Sequence, residues 1–197
     1  AQLSGLTTDQ IGSISTAQVS TITVAALKLL TTAQIQALTS AQLPELTTAQ
    51  VEALTTSQID ALTSAQISAM ETADIAKLSY QQIIALNTAQ MPQLTTDQIK
   101  AIDAGLIQYI ETQDLVRLTS AQIGALTTAQ VQQLTVPSQI VSLTTAQTSG
   151  FTGAQVASMT NVQLDSIETA DLAKMTSAAI AGLTTAQITA LNTAQVL

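Results

Sequence analysis

The sequence predicts an all-α protein: an α-solenoid, or superhelix, of very short helices, one for each eight-residue repeat. Three observations predict it. The phrase Leu30-Thr31-Thr32-Ala33-Gln34-Ile35-Gln36-Ala37 recurs in phase along the chain, with variations. Its first and sixth positions are apolar, and its second and fifth carry a helix-start signal. Helix breakers stand at its seventh position in Pro44, Pro92 and Gly124, so a helix begun in one repeat does not run on into the next.

Position one runs from Leu6, Ile14, Ile22 and Leu30 through Leu134, then, after one inserted residue, from Leu143 to Leu191. Every entry is apolar. Position six runs from Ile11, Val19 and Leu27 to Val196, with Thr148 the only polar entry. A single long helix cannot use both rows. Eight residues at about 100° each overshoot two turns by roughly 80°, so the rows would spiral around the cylinder. A strand would send the two positions to opposite faces.

A helix restarted in every octad fits each position. Position two is mostly Thr, otherwise Ser15, Ser79, Asn87, Asn192 or Asp103, residues that cap a helix by accepting an unpaired backbone N–H. Gln follows three residues later, as in Thr31…Gln34 and Thr47…Gln50, which completes a capping box. Leu30 before the cap and Ile35 after it form the hydrophobic staple. So short a helix does not survive alone, because nucleation is costly. Stacking the apolar rows of successive coils into one core makes the array a solenoid. Position eight suggests the coil size: it is small at Ala37, Ala53, Ala69, Ala85 and Ala101 and often larger between them, at Leu29, Glu45, Lys77, Gln93 and Tyr109. That alternation favours two octads per coil, with three as the alternative.

Residues 1–197 read as a single continuous array of about 24 octads. The irregular stretch is 134–153, with an insertion at Pro137, the polar Thr148, and Gly150 and Gly153. It reads as a local kink, or as a hinge or join between arrays. Both ends fall inside a repeat, as expected of a segment of a longer chain.

Composition narrows the function. The chain is 46% hydrophobic but 2% aromatic and 9% charged, which supplies an aliphatic core and argues against disorder. With net charge −8 and five Lys and Arg, it is unsuited to nucleic acid or to an anionic membrane surface. No apolar run approaches the roughly 18 residues of a membrane span. There is no Cys and no His, hence no thiolate or imidazole chemistry and no disulfide. No residue set is assigned to catalysis, to a cofactor or to a metal, and the protein is expected not to be an enzyme.

Three patterns invite a closer look. Glu71…Asp74…Lys77, Glu111…Asp114…Arg117 and Glu168…Asp171…Lys174 replace the capping Thr and the box Gln by acids and add a cation. These are expected to complement the helix dipole and to form weak i, i+3 surface pairs; a Ca²⁺ site would need six or more oxygens. Rows of Thr at positions two and three could present a ladder to ice or carbohydrate, but capping should occupy the first row. Phe151 should be core, and Tyr80 and Tyr109 should lie on the surface.

The runs Leu30–Leu38 and Leu118–Leu126, of the form Leu-Thr-Thr-Ala-Gln-Ile-x-Ala-Leu, resemble the repeat tracts of giant secreted bacterial surface proteins described as adhesin-like. The resemblance spans essentially the whole chain. It implies an extracellular or cell-surface location and a structural or spacer role, and it supplies no site residues. A fainter similarity is to the short-helix superhelical repeats of the mesothelin–stereocilin type. The expected function is thus an acidic structural repeat protein forming a rod, stalk or filament, with itself as a partner through end-to-end or lateral assembly. The alternative is a module binding protein or glycan on one face. Circular dichroism should give a helical spectrum; one dominated by β-structure would refute this fold.

Overall fold

The computed structural model describes residues 3–192 and residue 195. Among these residues the regular structure is helical throughout, no helix exceeds six residues, and there is no strand. The helices follow the octad. In the repeat from Leu54, Thr55 has extended backbone and its hydroxyl accepts the N–H of Gln58, while the Gln58 side chain accepts the N–H of Thr55. The same reciprocal box opens the helices Thr32–Gln36, Thr48–Glu52, Ser64–Ala69, Thr96–Ala101, Ser120–Ala125 and Gly153–Ser158. Pro44 and Pro92 reduce their repeats to single 3-10 turns, Leu43–Glu45 and Met91–Gln93, as the missing N–H requires. Leu62 (φ −58°, ψ 132°) and Thr63 (φ −70°, ψ 160°) then turn the corner as two extended residues. No described residue needs a positive φ.

The chain forms two compact units, Ala1–Ile102 and Asp103–Leu197. In the first, Thr8–Gly12 packs against Thr32–Gln36, which packs against Thr56–Ala61, and that against Tyr80–Ile84. A second column is Val24–Lys28, Thr48–Glu52, Thr72–Ile75 and Thr96–Ala101. A third is Thr16–Val19, Leu43–Glu45, Ser64–Ala69 and Met91–Gln93. Partners along a column stand three octads apart, as Thr32 and Thr56 do. One coil is therefore 24 residues and three octads, and the expectation of two octads per coil is corrected. The misleading signal was position eight. Leu29, Lys77 and Gln93 are exposed there and Ala37 and Ala69 only half-buried, so the alternation lies on the rim and does not register coils.

The second unit has the same construction. Ala104–Tyr109, Thr128–Gln132, Gly153–Ser158 and Ser177–Ile180 form one column. Ser120–Ala125, Thr145–Thr148 and Thr169–Leu172 form another, and Thr112–Leu115 on Ser138–Ser142 and Asn161–Asp165 on Thr185–Ala190 belong to the third side. Positions one and six of the inner coils fill the core of each unit: Ile35, Leu38, Ile59, Leu62, Ile123 and Leu126 are all buried. Each such side chain contributes about 1.5–3 kcal/mol by leaving water, and the core needs it because no single helix is long enough to stand. Phe151 takes its place in this core. Thr148, the polar exception, is buried too, and its hydroxyl is satisfied by the carbonyls of Thr145 (3.1 Å) and Asp171 (3.2 Å).

The irregular stretch lies wholly inside the second unit and is neither frayed nor straightened. The extra residue is taken up between Thr135 and Gln139, where the Val136–Pro137 peptide is cis. One half of the box persists, across four residues instead of three: Thr135 N–H donates to Gln139 Oε1 at 2.9 Å, while no side chain caps the helix Ser138–Ser142. From Ser138 the helices are regular again. The glycines there and nearby mark close backbone contact between coils. A Cβ on Gly150 would strike the carbonyl of Ser120, and one on Gly124 would lie 2.7 Å from the carbonyl of Gly150. Gly153 and Gly182 oppose each other in the same way.

Gly150→Ala should therefore destabilise the protein by about 1–3 kcal/mol in urea unfolding. Gly5→Ala, where the added methyl meets nothing within 4 Å, should stay within about 0.5 kcal/mol of wild type.

Candidate functional site

The most elaborate polar arrangement is the glutamine of position five. In Gln58 the Oε1 accepts the Thr55 N–H at 2.9 Å, and the Nε2 donates to the carbonyls of Leu27 and Leu30, both at 2.9 Å, in the coil below. A primary amide offers two N–H donors and one carbonyl, and all are used. The Leu27 carbonyl sits in the last turn of its helix, where intrahelical partners run out. One side chain thus starts its own helix and closes the end of the helix beneath. The pattern repeats at Gln42, Gln50, Gln66, Gln82, Gln90 and Gln98, always to the carbonyls 31 and 28 residues earlier. In the second unit Gln155 bonds Ile123 and Leu126, 32 and 29 residues back, because the inserted residue lies between. Gln187 returns to 31 and 28.

The sequence identifies the capping box but not this tie between coils. A signal was present. Glu closes a capping box as well as Gln does, yet position five is never Glu in this chain. The preference for an amide over a carboxylate is a preference for donors. A second tie occurs where Asn replaces the capping Thr. Asn87 Nδ2 donates to Asp60 Oδ1 at 2.9 Å, and Asn192 Nδ2 to Asp165 Oδ1 at 2.7 Å, each across 27 residues. Asp60 and Asp165 are the only aspartates at position seven.

The three acidic repeats depart from their expected arrangement. Glu71, Glu111 and Glu168 occupy the cap positions without a side-chain capping bond. Asp74, Asp114 and Asp171 do not form surface pairs with Lys77, Arg117 and Lys174. They are buried, at 3%, 3% and 7% exposure, in the slot that glutamine otherwise fills. Among the described residues the ion pair within 4 Å is Lys100–Asp97, at 3.4 Å. Burial raises the carboxyl of Asp74 above its usual range; the Thr48 hydroxyl, bonded to it, opposes the rise, and Glu71 adds to it. Burial raises Asp114 as well, with a further contribution from Glu111. Asp114 Oδ1 is buried without a hydrogen-bond partner.

The remaining candidates resolve simply. The position-two hydroxyls of these helices are engaged as caps, while Thr32, Thr56 and Thr96 of position three are exposed. Tyr80 and Tyr109 are on the surface, at 47% and 41% exposure. Among the described residues, no group of three or more acidic, Cys or His side chains is placed to hold a metal, and no helix is long and apolar enough to cross a membrane. An open apolar groove lies over the first coil, lined by Leu3, Leu6, Ile14 and Ile22, and another over the last, lined by Leu172, Met175, Leu183 and Leu191.

The amide tie predicts an asymmetry. Gln98→Glu keeps the box acceptor but removes both donors and buries a carboxylate against carbonyls; it should cost about 3 kcal/mol or more in equilibrium unfolding. Gln10→Glu, on the exposed edge of the first coil, should change stability by about 0.5 kcal/mol or less.

A family model described as the ALTTAQ repeat matches residues 41–70, 67–103, 107–137 and 164–197, together well over half of the chain. No curated protein matches the sequence.

Proposed function

Since the chain belongs to the ALTTAQ repeat family, we propose that it is an extracellular structural element, a rod, stalk or filament segment of a bacterial surface protein of adhesin-like type. The observation that carries this reading is how the polar residues of the repeat are used. Thr closes the helix start, and Gln closes the helix start and the helix end below it. What remains for the surface is mostly Thr, Ser, Ala and Gln, with scattered charges and isolated apolar side chains such as Leu29 and Val162. Such a surface suits a spacer that holds its form and presents no chemistry. Each coil of three octads would advance the rod by about 8–10 Å, the usual distance between packed helices.

The same ties support assembly. Gln10 and Gln18 of the first coil are exposed, and Gln18 borders the apolar groove of Leu3, Leu6, Ile14 and Ile22. Their amides are the groups that, in later coils, clasp a coil beneath. A second copy, or further octads of the same kind, would meet them with carbonyls and an apolar row. Head-to-tail association whose rotation does not close on itself builds filaments.

Electron microscopy of the purified chain over a range of concentrations tests this. Short rods that lengthen with concentration are expected. Discrete globular particles at every concentration would refute the filament, and selective retention on a glycan or protein array would favour a binding module on one face.

A further inference from the structure

The acidic repeats do not fit a passive array. Each places a carboxylate where the repeat places a double donor. By the spacing that every neighbouring glutamine obeys in the first unit, the carbonyls beneath Asp74 are those of Leu43 and Leu46. No side-chain amide reaches either among the described residues. Leu43 O accepts the Leu46 N–H of its own turn, and the Asp74 carboxylate has the Thr48 hydroxyl. The slot under Asp171 is the corresponding one, over the carbonyls of Ile140 and Leu143. At Asp114 the outcome is visible on the acid itself, in the buried Oδ1 that has no partner.

The surrounding charges do not repair this. Asp74 has Glu71 and Lys77 on its own repeat; the packed helix Thr48–Glu52 brings Glu52, and Thr96–Ala101 brings Asp97 and Lys100. Lys77 is not within ion-pair distance, and Lys100 lies against Asp97. Asp114 has Glu111 and Arg117 on its repeat, and the packed helix Ser138–Ser142 has no charged residue. Asp171 has Glu168 and Lys174, and Thr145–Thr148 has none.

We propose that the repeats of Asp74 and Asp114 are tightened by acid: at neutral pH a buried carboxylate stands where the repeat otherwise places a double donor, and protonation supplies the donor that glutamine gives elsewhere. The proton comes from solvent and bonds to a carboxylate oxygen, no other bond changes, and the neutral acid donates within the acceptor-lined slot. The sign follows from linkage. A carboxyl held above its unfolded value in the folded state adds stability below the unfolded value and loses it as pH rises through the folded one. These two repeats are loose at neutral pH and firm in mild acid. This holds whether or not the chain is a surface rod.

The test is hydrogen exchange with mass spectrometry on the 197-residue chain, corrected for intrinsic rates, at about pH 7.5 and about pH 5 with EDTA present. Protection of segments 43–48 and 71–78 should rise roughly tenfold or more in acid, and that of 111–118 likewise, while 54–62 changes little. The double variant D74Q/D114Q, which restores the residue usual at the slot, should be protected at both pH values. D9N, which removes an exposed charge in the first coil instead, should keep the wild-type response. Unchanged or falling protection in acid would overturn the proposal, and so would a double glutamine variant that keeps the response or fails to fold. Equal protection at pH 7.5 on adding about 5 mM Ca²⁺ in place of EDTA would also overturn it, because a cation rather than a proton would then be the missing partner.

Discussion

Everything in this protein depends on a buried side-chain amide that satisfies three backbone groups at once. Helices of four to six residues leave most of their N–H and C=O groups without intrahelical partners. A core built from such helices would bury those groups unpaired, at a cost of about 1–3 kcal/mol each. The glutamine of position five resolves this by taking the N–H that opens its own helix and giving two hydrogens to the helix end and corner of the coil below. Helix start, helix end and coil-to-coil contact are therefore one interaction, and the Leu and Ile rows pack because it holds the corners together.

The exceptions to the repeat follow from this constraint. At Thr148 a hydroxyl enters the aliphatic row, and two carbonyls receive it. At Gly124 and Gly150 two coils come so close that a methyl group would collide with backbone. At Pro137 an extra residue enters without breaking the tie, because Gln139 still reaches Ile107 and Ile110. Asn87 and Asn192 keep the cap and add a bond to an aspartate on the coil below. The aspartates at position five differ from these, because each buries a carboxylate where the repeat places an amide and supplies no donor in its place.

A passive role and a pH response are compatible. An array whose polar groups are consumed internally has little to offer a ligand, but its stiffness can still be set by a few sites where the internal accounting is incomplete. Stability in such arrays is a sum over neighbouring coils, so a change at one joint acts on the coils beside it and not on the whole chain.

The octad, the short helices, their caps and the two apolar rows were legible in the sequence, because each rests on contacts within about eight residues. Leu30, Thr31, Gln34 and Ile35 specify their own local structure by staple and box. The tertiary structure alone decided three things. It set the coil at three octads, since the residues that alternate at position eight, such as the exposed Leu29 and the half-buried Ala37, lie on the rim and do not register the coils. It gave glutamine its second function, because the carbonyls of Leu27 and Leu30 are 31 and 28 residues from Gln58 and no local pattern joins them. And it moved Asp74, Asp114 and Asp171 from an expected surface pair into the interior, since whether position five is buried depends on the coil beneath it and not on the helix that bears it.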